Sequence, residues 1–255
     1  MTVEQVDKGV ALITGGGGGI GGATAIKLAE SGVTVALADK NMEMAEKYIN
    51  RIEMEGGKAA AFGLDVTDVV AVTDTITKIE THLGPINQLV NTAGTFDWAA
   101  VEDISDDEFE EMFRVHVFGM HRVCRAVLPG MQKRNDGAIV NITSIHAIRG
   151  QTLTAHYSAA KGAILSYTKS LAREKSAHGI RVNAVAPGPI DTPLWRGNMT
   201  SEEIKRKMAE RSIVIPMARL GTPDEVAAGI VFLLSREASY LTGHIMTIDG
   251  GEIMN

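Results

Sequence analysis

Thr14-Gly15-Gly16-Gly17-Gly18-Gly19-Ile20-Gly21-Gly22 follows directly on the short apolar run from Val10 and leads into a helical stretch that ends near Gly32. A strand, a glycine loop and a helix in that order make a phosphate cradle. Glycines permit the tight turn and the close approach of a pyrophosphate to the main chain, and the helix N-terminus offers free N–H groups and a partial positive charge. Seven of the eight residues from Gly15 to Gly22 are glycine, so spurious pattern matches coexist there and the run alone also fits a flexible loop. Its surroundings narrow the choice. Gly22 is followed by Ala23-Thr24 rather than by Lys-Ser/Thr, which argues against a triphosphate loop and phosphoryl transfer. Asp39 closes the next apolar run, 20 residues after Gly19, where a carboxylate accepts hydrogen bonds from ribose hydroxyls and repels a 2′-phosphate. The loop therefore reads as a dinucleotide site with a preference for NAD. Lys40 beside that acid leaves room for NADP, and Asp39 alternatively just starts a turn.

Outward from the loop, β-branched apolar runs alternate with helical stretches: Val10 to Thr14, Val33 to Ala38, Ala59 to Leu64, Gln88 to Asn91, Ala138 to Thr143, Arg181 to Ala186 and His244 to Ile248. Alternation of this kind predicts an α/β fold, a doubly wound, Rossmann-type, seven-stranded parallel sheet with helices on both faces. Capping-box signatures mark helix starts at Ser105, Thr200 and Thr222. Phe109, Met112, Phe113, His116, Val117, Met120, Cys124 and Val127 recur at three- and four-residue spacing, which predicts a buried stripe with His116 facing inward. No linker or internal repeat divides the chain, so residues 1–255 are expected to form one domain, with Thr192 to Met217 a candidate lid over the substrate.

Composition excludes several classes. With 45% hydrophobic and 22% charged residues the chain is an ordinary globular one, and no apolar run of membrane-spanning length occurs. A formal net charge of −6, without basic clusters, excludes a nucleic-acid footprint and leaves a small-molecule partner. One cysteine, Cys124, makes no internal disulfide, and Met1 to Lys8 lacks the character of a signal peptide, so a cytoplasmic location is expected. The Asn-x-Thr matches at Asn141 and Asn198 are accordingly read as chance. No metal is expected.

Tyr157-Ser158-Ala159-Ala160-Lys161 puts a phenol and an ammonium one helical turn apart. A phenol of pKa about 10 is a poor base at neutral pH, and a lysine cation beside it, joined by the positive charge of an oxidised nicotinamide, would lower that value. Alone, the Tyr-x-x-x-Lys spacing is common. In company with the glycine loop and Asp39 it resembles the short-chain dehydrogenase/reductase family, and the resemblance runs along almost the whole chain. The family's glycine pattern is met by Thr14, Gly15, Gly19 and Gly21, with Ile20 between, and its adenine-side pair by Asp65-Val66. Asn91-Thr92-Ala93-Gly94 is similar to its Asn-Asn-Ala-Gly segment, with a departure at the second position that leaves Asn91 and Gly94 in place. Pro187-Gly188-Pro189-Ile190-Asp191-Thr192 resembles its nicotinamide-side segment, in which Ile190 and Thr192 would hold the carboxamide. The resemblance implies that Tyr157 exchanges the substrate proton, Ser144 orients the substrate oxygen, and Lys161 binds the nicotinamide ribose. It also implies a homo-oligomer, a homotetramer in most members, and the small residues Ser158, Ala159, Ala160, Gly162 and Ala163 suit close helix packing between subunits.

One departure bears on the chemistry. His116 stands where the family usually carries a catalytic asparagine. Its imidazole either takes part in the proton relay, titrating near neutrality, or merely fills the place and hydrogen-bonds locally. Substrate contacts are expected from Phe96, Trp98, His146, Leu194 and Trp195, with Met199 and Met217 adding to an apolar pocket, and from His146 and Arg149 toward an anionic group. The expected activity is hydride transfer between NAD(H) and a secondary alcohol or ketone of cyclic or aromatic frame. A 3-oxoacyl-thioester reductase is the runner-up, at odds with Asp39 because such enzymes more often use NADPH. A dinucleotide-binding sensor without turnover is the alternative from another class, opposed by the complete Ser144, Tyr157 and Lys161 set.

Overall fold

Every residue of β1 (Val10–Thr14) is buried, as a strand covered on both faces must be, in the computed structural model of the chain, which describes residues 9–197 and 199–254. Met1 to Lys8, the segment read for a leader, and Asn198 lie outside the described residues. From β1 the chain runs through α1 (Gly19–Glu30), β2 (Thr34–Asp39), α2 (Met42–Met54), β3 (Ala59–Gly63), α3 (Val69–Leu83) and β4 (Ile86–Asn91). Next come α4 (Asp106–Phe113), a π-helical segment (Arg114–Gly119), α5 (Met120–Arg134), β5 (Gly137–Ile142), α6 (His146–Arg149) and α7 (Ala155–Lys175). β6 (Ile180–Pro187), α8 (Pro193–Arg196), α9 (Ser201–Val214), α10 (Pro223–Leu234) and β7 (Ile245–Ile248) follow.

The strands form one seven-stranded parallel sheet in the order β3-β2-β1-β4-β5-β6-β7, the doubly wound arrangement expected from the alternation. Successive side chains of β1 divide between two cores. Ala11 and Ile13 pack with Ala25 and Leu28 of α1, Ile49 and Ile52 of α2, and Val226 and Ile230 of α10. Val10 and Leu12 pack on the other face with Val72 and Ile76 of α3, Val123 and Val127 of α5, and Ile164 of α7. Each fully buried Leu or Ile contributes about 1.5–3 kcal/mol to this two-sided sandwich.

Strand order reverses between β1 and β4, where Thr14 pairs with Ala38 on one side and Asn91 on the other. Connections leave in opposite directions there and open a crevice at the carboxyl ends of the strands. All three capping boxes form, at Ser105, Thr200 and Thr222.

The rod from α4 to α5 corrects one expectation. Met112, His116, Met120, Cys124 and Val127 are buried as the stripe requires, but Phe109 is 39% exposed and stacks on Phe113 at 5.2 Å between ring centroids. The π-helical segment is the reason. Its wider turn takes an extra residue, which shifts the phase of the buried stripe so that residues before and after it do not share one α-helical face. Asn141, one of the two Asn-x-Thr matches, is fully buried and hydrogen-bonded to Thr168 and Asn91, which bars it from modification in the folded chain.

Candidate active site

The crevice holds a cavity of about 400 Å³ lined at one end by Gly15, Gly17 to Gly21 and Asp39, and at the other by Phe96, Trp98, His146, Leu194, Trp195 and Arg211. Ser144, Tyr157, Lys161 and His116 line it between, with Pro187, Gly188, Ile190 and Thr192 along one wall. Local sequence accounts for each placement. Ser144 follows β5 by two residues, so it stands at the carboxyl end of a central strand, and Tyr157 and Lys161 sit in the first two turns of α7.

Tyr157 is enclosed by rings. Phe96 meets it edge-on at 4.9 Å, His116 at 5.5 Å and His146 at 5.8 Å between centroids. Burial pushes its phenol up to about 12, and a hydrogen bond with the Ser144 side chain offsets this only in part. Lys161 donates from Nζ to the Ile142 carbonyl at 2.8 Å and lies 5.6 Å from the Tyr157 ring centroid; burial brings its ammonium down to about 7. The expected depression of the Tyr157 pKa by Lys161 is therefore absent from the chain by itself. In so dry a place the lysine is partly discharged at neutral pH, and desolvation of the phenol dominates.

His116 is buried, with Nε2 2.8 Å from the Thr95 carbonyl and 3.1 Å from the Thr95 nitrogen, while Nδ1 has no partner. Burial and the Lys161 charge hold its pKa well below 6.5. The expectation that this imidazole titrates near neutrality is thus corrected: among the described residues no anionic neighbour compensates a charge there. Gly94 makes room for the ring, because a Cβ at that position would lie 2.4 Å from His116 Cε1.

A nicotinamide dinucleotide fits the residues present. The N-cap of α1, Gly18, gives no side-chain cap, and the first turn of that helix holds no acidic residue. Its N–H groups are left for an anion entering the cavity. Gly15 has φ +68°, and a Cβ there would stand 2.7 Å from the Ala93 main chain, so only glycine closes this turn. Thr92, at the departure from the family pattern, donates through its hydroxyl to the Thr14 carbonyl and ties β4 to the loop. Asp39 accepts the Gly17 and Asn41 N–H groups, each at 2.8 Å, and keeps its carboxylate in the cavity wall.

Other expected site residues lie elsewhere. Asp65, Val66 and Asn91 are not in the cavity wall; Asp65 bonds Thr67 and pairs with Lys40 at 3.2 Å, and Asn91 donates to Asn141 and Cys124 inside the core. Met199 and Met217 are also absent from it: Met217 is 67% exposed, held by its N–H bond to the Gly250 carbonyl. Arg149 is drawn away by Glu252 at 2.6 Å. Arg211, which does line the cavity, went unnoticed in the sequence because α9 buries no residue and shows no stripe to orient it.

Comparison with known proteins agrees with this geometry. The family model described as Enoyl-(Acyl carrier protein) reductase matches residues 15–252. A 3-oxoacyl-[acyl-carrier-protein] reductase of Thermotoga maritima is 36% identical over 98% of this chain and 100% of its own length. A cyclopentanol dehydrogenase of Comamonas sp. is 35% identical over 98% of this chain and 99% of its own. The crystal structure of gox2181 superimposes with a TM-score of 0.92 at 35% identity, covering 99% of this chain and 98% of that one. With this sheet, this cavity and these relatives, the chain belongs to the short-chain dehydrogenase/reductase family, an oxidoreductase acting on CH–OH groups with a nicotinamide dinucleotide.

Proposed function

We propose that the chain interconverts a cyclic or aromatic secondary alcohol and its ketone with NAD(H). The observation that carries this is the meeting of Ser144, Tyr157 and Lys161 in one cavity that also reaches the uncapped start of α1. Gly15, Gly19, Ile20 and Gly21 would cradle the pyrophosphate, with Gly94 opposite and Pro187, Gly188, Ile190 and Thr192 beside the carboxamide. The cofactor supplies the hydride donor or acceptor.

The protein residues supply the proton and the orientation. Burial keeps the Tyr157 hydroxyl protonated, which suits it to donate to a carbonyl oxygen during reduction. Ser144 hydrogen-bonds that same oxygen and points it at the phenol. In the oxidative direction Tyr157 must accept the proton, which needs added positive charge beside it, and Lys161 one turn away is the chain's own source. His116, neutral and bonded to Thr95, positions the Tyr157 ring through their edge-on contact. Phe96, Trp98, Leu194 and Trp195 give the substrate an apolar seat, and residues 192–217 act as its lid.

Preference for NAD is supported by Asp39, whose carboxylate, held in the cavity wall by the Gly17 N–H, would accept from ribose hydroxyls and repel a 2′-phosphate. Lys40, the residue that could favour NADP, is turned to Asp65 instead. Asp65 and Val66 support the adenine side in this reading, and Asn91 braces β4 against β5. The single domain of residues 1–255 works in the cytoplasm, in keeping with its lone cysteine, and as a homotetramer, a reading that rests on the family.

Absorbance at the NADH band, with cyclic and aromatic secondary alcohols and first NAD, then NADP, tests the proposal. Turnover with NAD is expected, and Tyr157→Phe should lower it by about 10²–10⁴-fold. Full activity in that variant would overturn the mechanism; turnover restricted to 3-oxoacyl thioesters with NADPH would favour the reductase reading, and none at all a sensor.

A further inference from the structure

Charge is unevenly spread along the cavity wall. Its lining acid, Asp39, stands beside the glycine loop, and its lining cations are Lys161 in the middle and Arg211 at the apolar end. Among the described residues, no carboxylate lines that apolar end. Lys207, one turn before Arg211 on the same face of α9, reaches the same mouth and holds its Nζ 5.6 Å over the Trp98 ring.

Glu252 is the acid that pairs with Arg211, and Arg149 shares it at shorter range. Its side chain is 3% exposed, and Oε1 accepts from Arg149 Nη2 at 2.6 Å. Arg211 Nη1 is 3.8 Å from the same oxygen, beyond hydrogen-bond distance, with 24% of its side chain exposed. One carboxylate thus faces two guanidinium groups, and a net positive charge remains at the cavity. Asp97, beside Trp98, is exposed and accepts the Trp98 N–H, outside the wall. His146 adds no compensation: burial together with Arg149 and Arg211 brings it down to about 4, so it is neutral at working pH.

We propose that Arg211 is a specificity residue that binds a carboxylate carried by the substrate at the end remote from the reacting carbon. Arg149 was the expected anion contact in the sequence; the structure gives it the task of anchoring Glu252, which in turn holds Arg211 loosely at the wall. A planar carboxylate can take the guanidinium in a two-bond fork that Glu252 leaves unmade. An apolar ring fills the space between Phe96, Trp98, Leu194 and Trp195, and the carbonyl reaches Tyr157. The inference deepens the substrate assignment above and rests on it.

The test uses 4-oxocyclohexanecarboxylate and 4-oxocyclohexanecarboxamide, matched in shape and differing in charge. Both tryptophans of the chain, Trp98 and Trp195, line the cavity, so intrinsic fluorescence reports ligand entry without turnover. The titration is done with oxidised cofactor bound, which offers the ketones no hydride. The expected dissociation constant for the carboxylate is lower by about tenfold, the difference shrinking with added salt. Arg211→Gln should bring the two ligands within about twofold, and Arg211→Lys should restore part of the preference. Equal affinities in the unmodified chain, a preference that survives Arg211→Gln, or no saturable fluorescence change with either ligand would each overturn the inference. Reduction of the same ketones with NADH is the separate readout for the activity: a preserved fluorescence preference without turnover sinks the proposed function and leaves the carboxylate site standing.

Discussion

Lys161 carries an electrostatic cost of the site's own making. Its folded pKa of about 7 lies below the ordinary 10.5 that it regains on unfolding. Between those values the unfolded chain binds more protons, so stability should rise with pH from about 7 upward, while below 7 both states are charged and the penalty is complete. Cys124, whose thiol burial holds up at about 12, works in the opposite direction, but only as pH approaches its ordinary 9. The window for Lys161 is therefore about pH 7 to 8.5. Urea unfolding without cofactor should show stability rising there by on the order of 1 kcal/mol per pH unit relative to Lys161→Met. Parallel curves for the two proteins would show that the lysine is not discharged in the fold. Tyr157, raised to about 12, stays protonated in both states throughout that window and does not confuse the comparison.

At the scale of elements, the loop after β4 and the π-helical segment are fitted to each other. Gly94 and His116 share one volume, and a Cβ on Gly94 would stand 2.4 Å from the imidazole. Gly94→Ala should cost about 1–3 kcal/mol through overpacking, with a matching loss of cofactor affinity as the loop shifts. In a His116→Asn background the shorter side chain frees that space, so the same substitution should cost clearly less, and a double-mutant cycle from thermal unfolding measures the coupling. Additive costs would mean that the ring moves aside freely. Because His116 is neutral, His116→Asn by itself should leave the pH profile of the oxidation rate unchanged between about pH 6 and 8. A lost or shifted limb there would restore the imidazole to the proton relay.

For the whole molecule, the surface of α7 is the place to test assembly. Ala159 is exposed, and a Cβ added at Gly162 would meet nothing within 4 Å in the single chain. Gly162→Leu should therefore leave the folded chain intact, and even favour the helix by about 0.5–1 kcal/mol, while splitting the homotetramer proposed here if this face packs against a second copy. Sedimentation of the variant beside the unmodified chain checks it; an unchanged mass would place the interface elsewhere.

What the sequence determined is whatever a short stretch can write by itself. Glycines, apolar runs and capping boxes specified the sheet, its parallel sense and the loop for the dinucleotide, because backbone freedom, side-chain alternation and local hydrogen bonds act within a few residues. Ser144, Tyr157 and Lys161 were legible as a spacing, and the cavity holds all three. Tertiary structure decided the rest. Arg149 and Glu252 are 103 residues apart, and their meeting places the carboxylate that Arg211, in the cavity wall, shares at 3.8 Å. Phe109 left the buried stripe because a π-helical turn changed its phase. Whether Lys161 and His116 are charged followed from burial, since desolvation depends on what packs around a group from all sides and not on its neighbours in the chain.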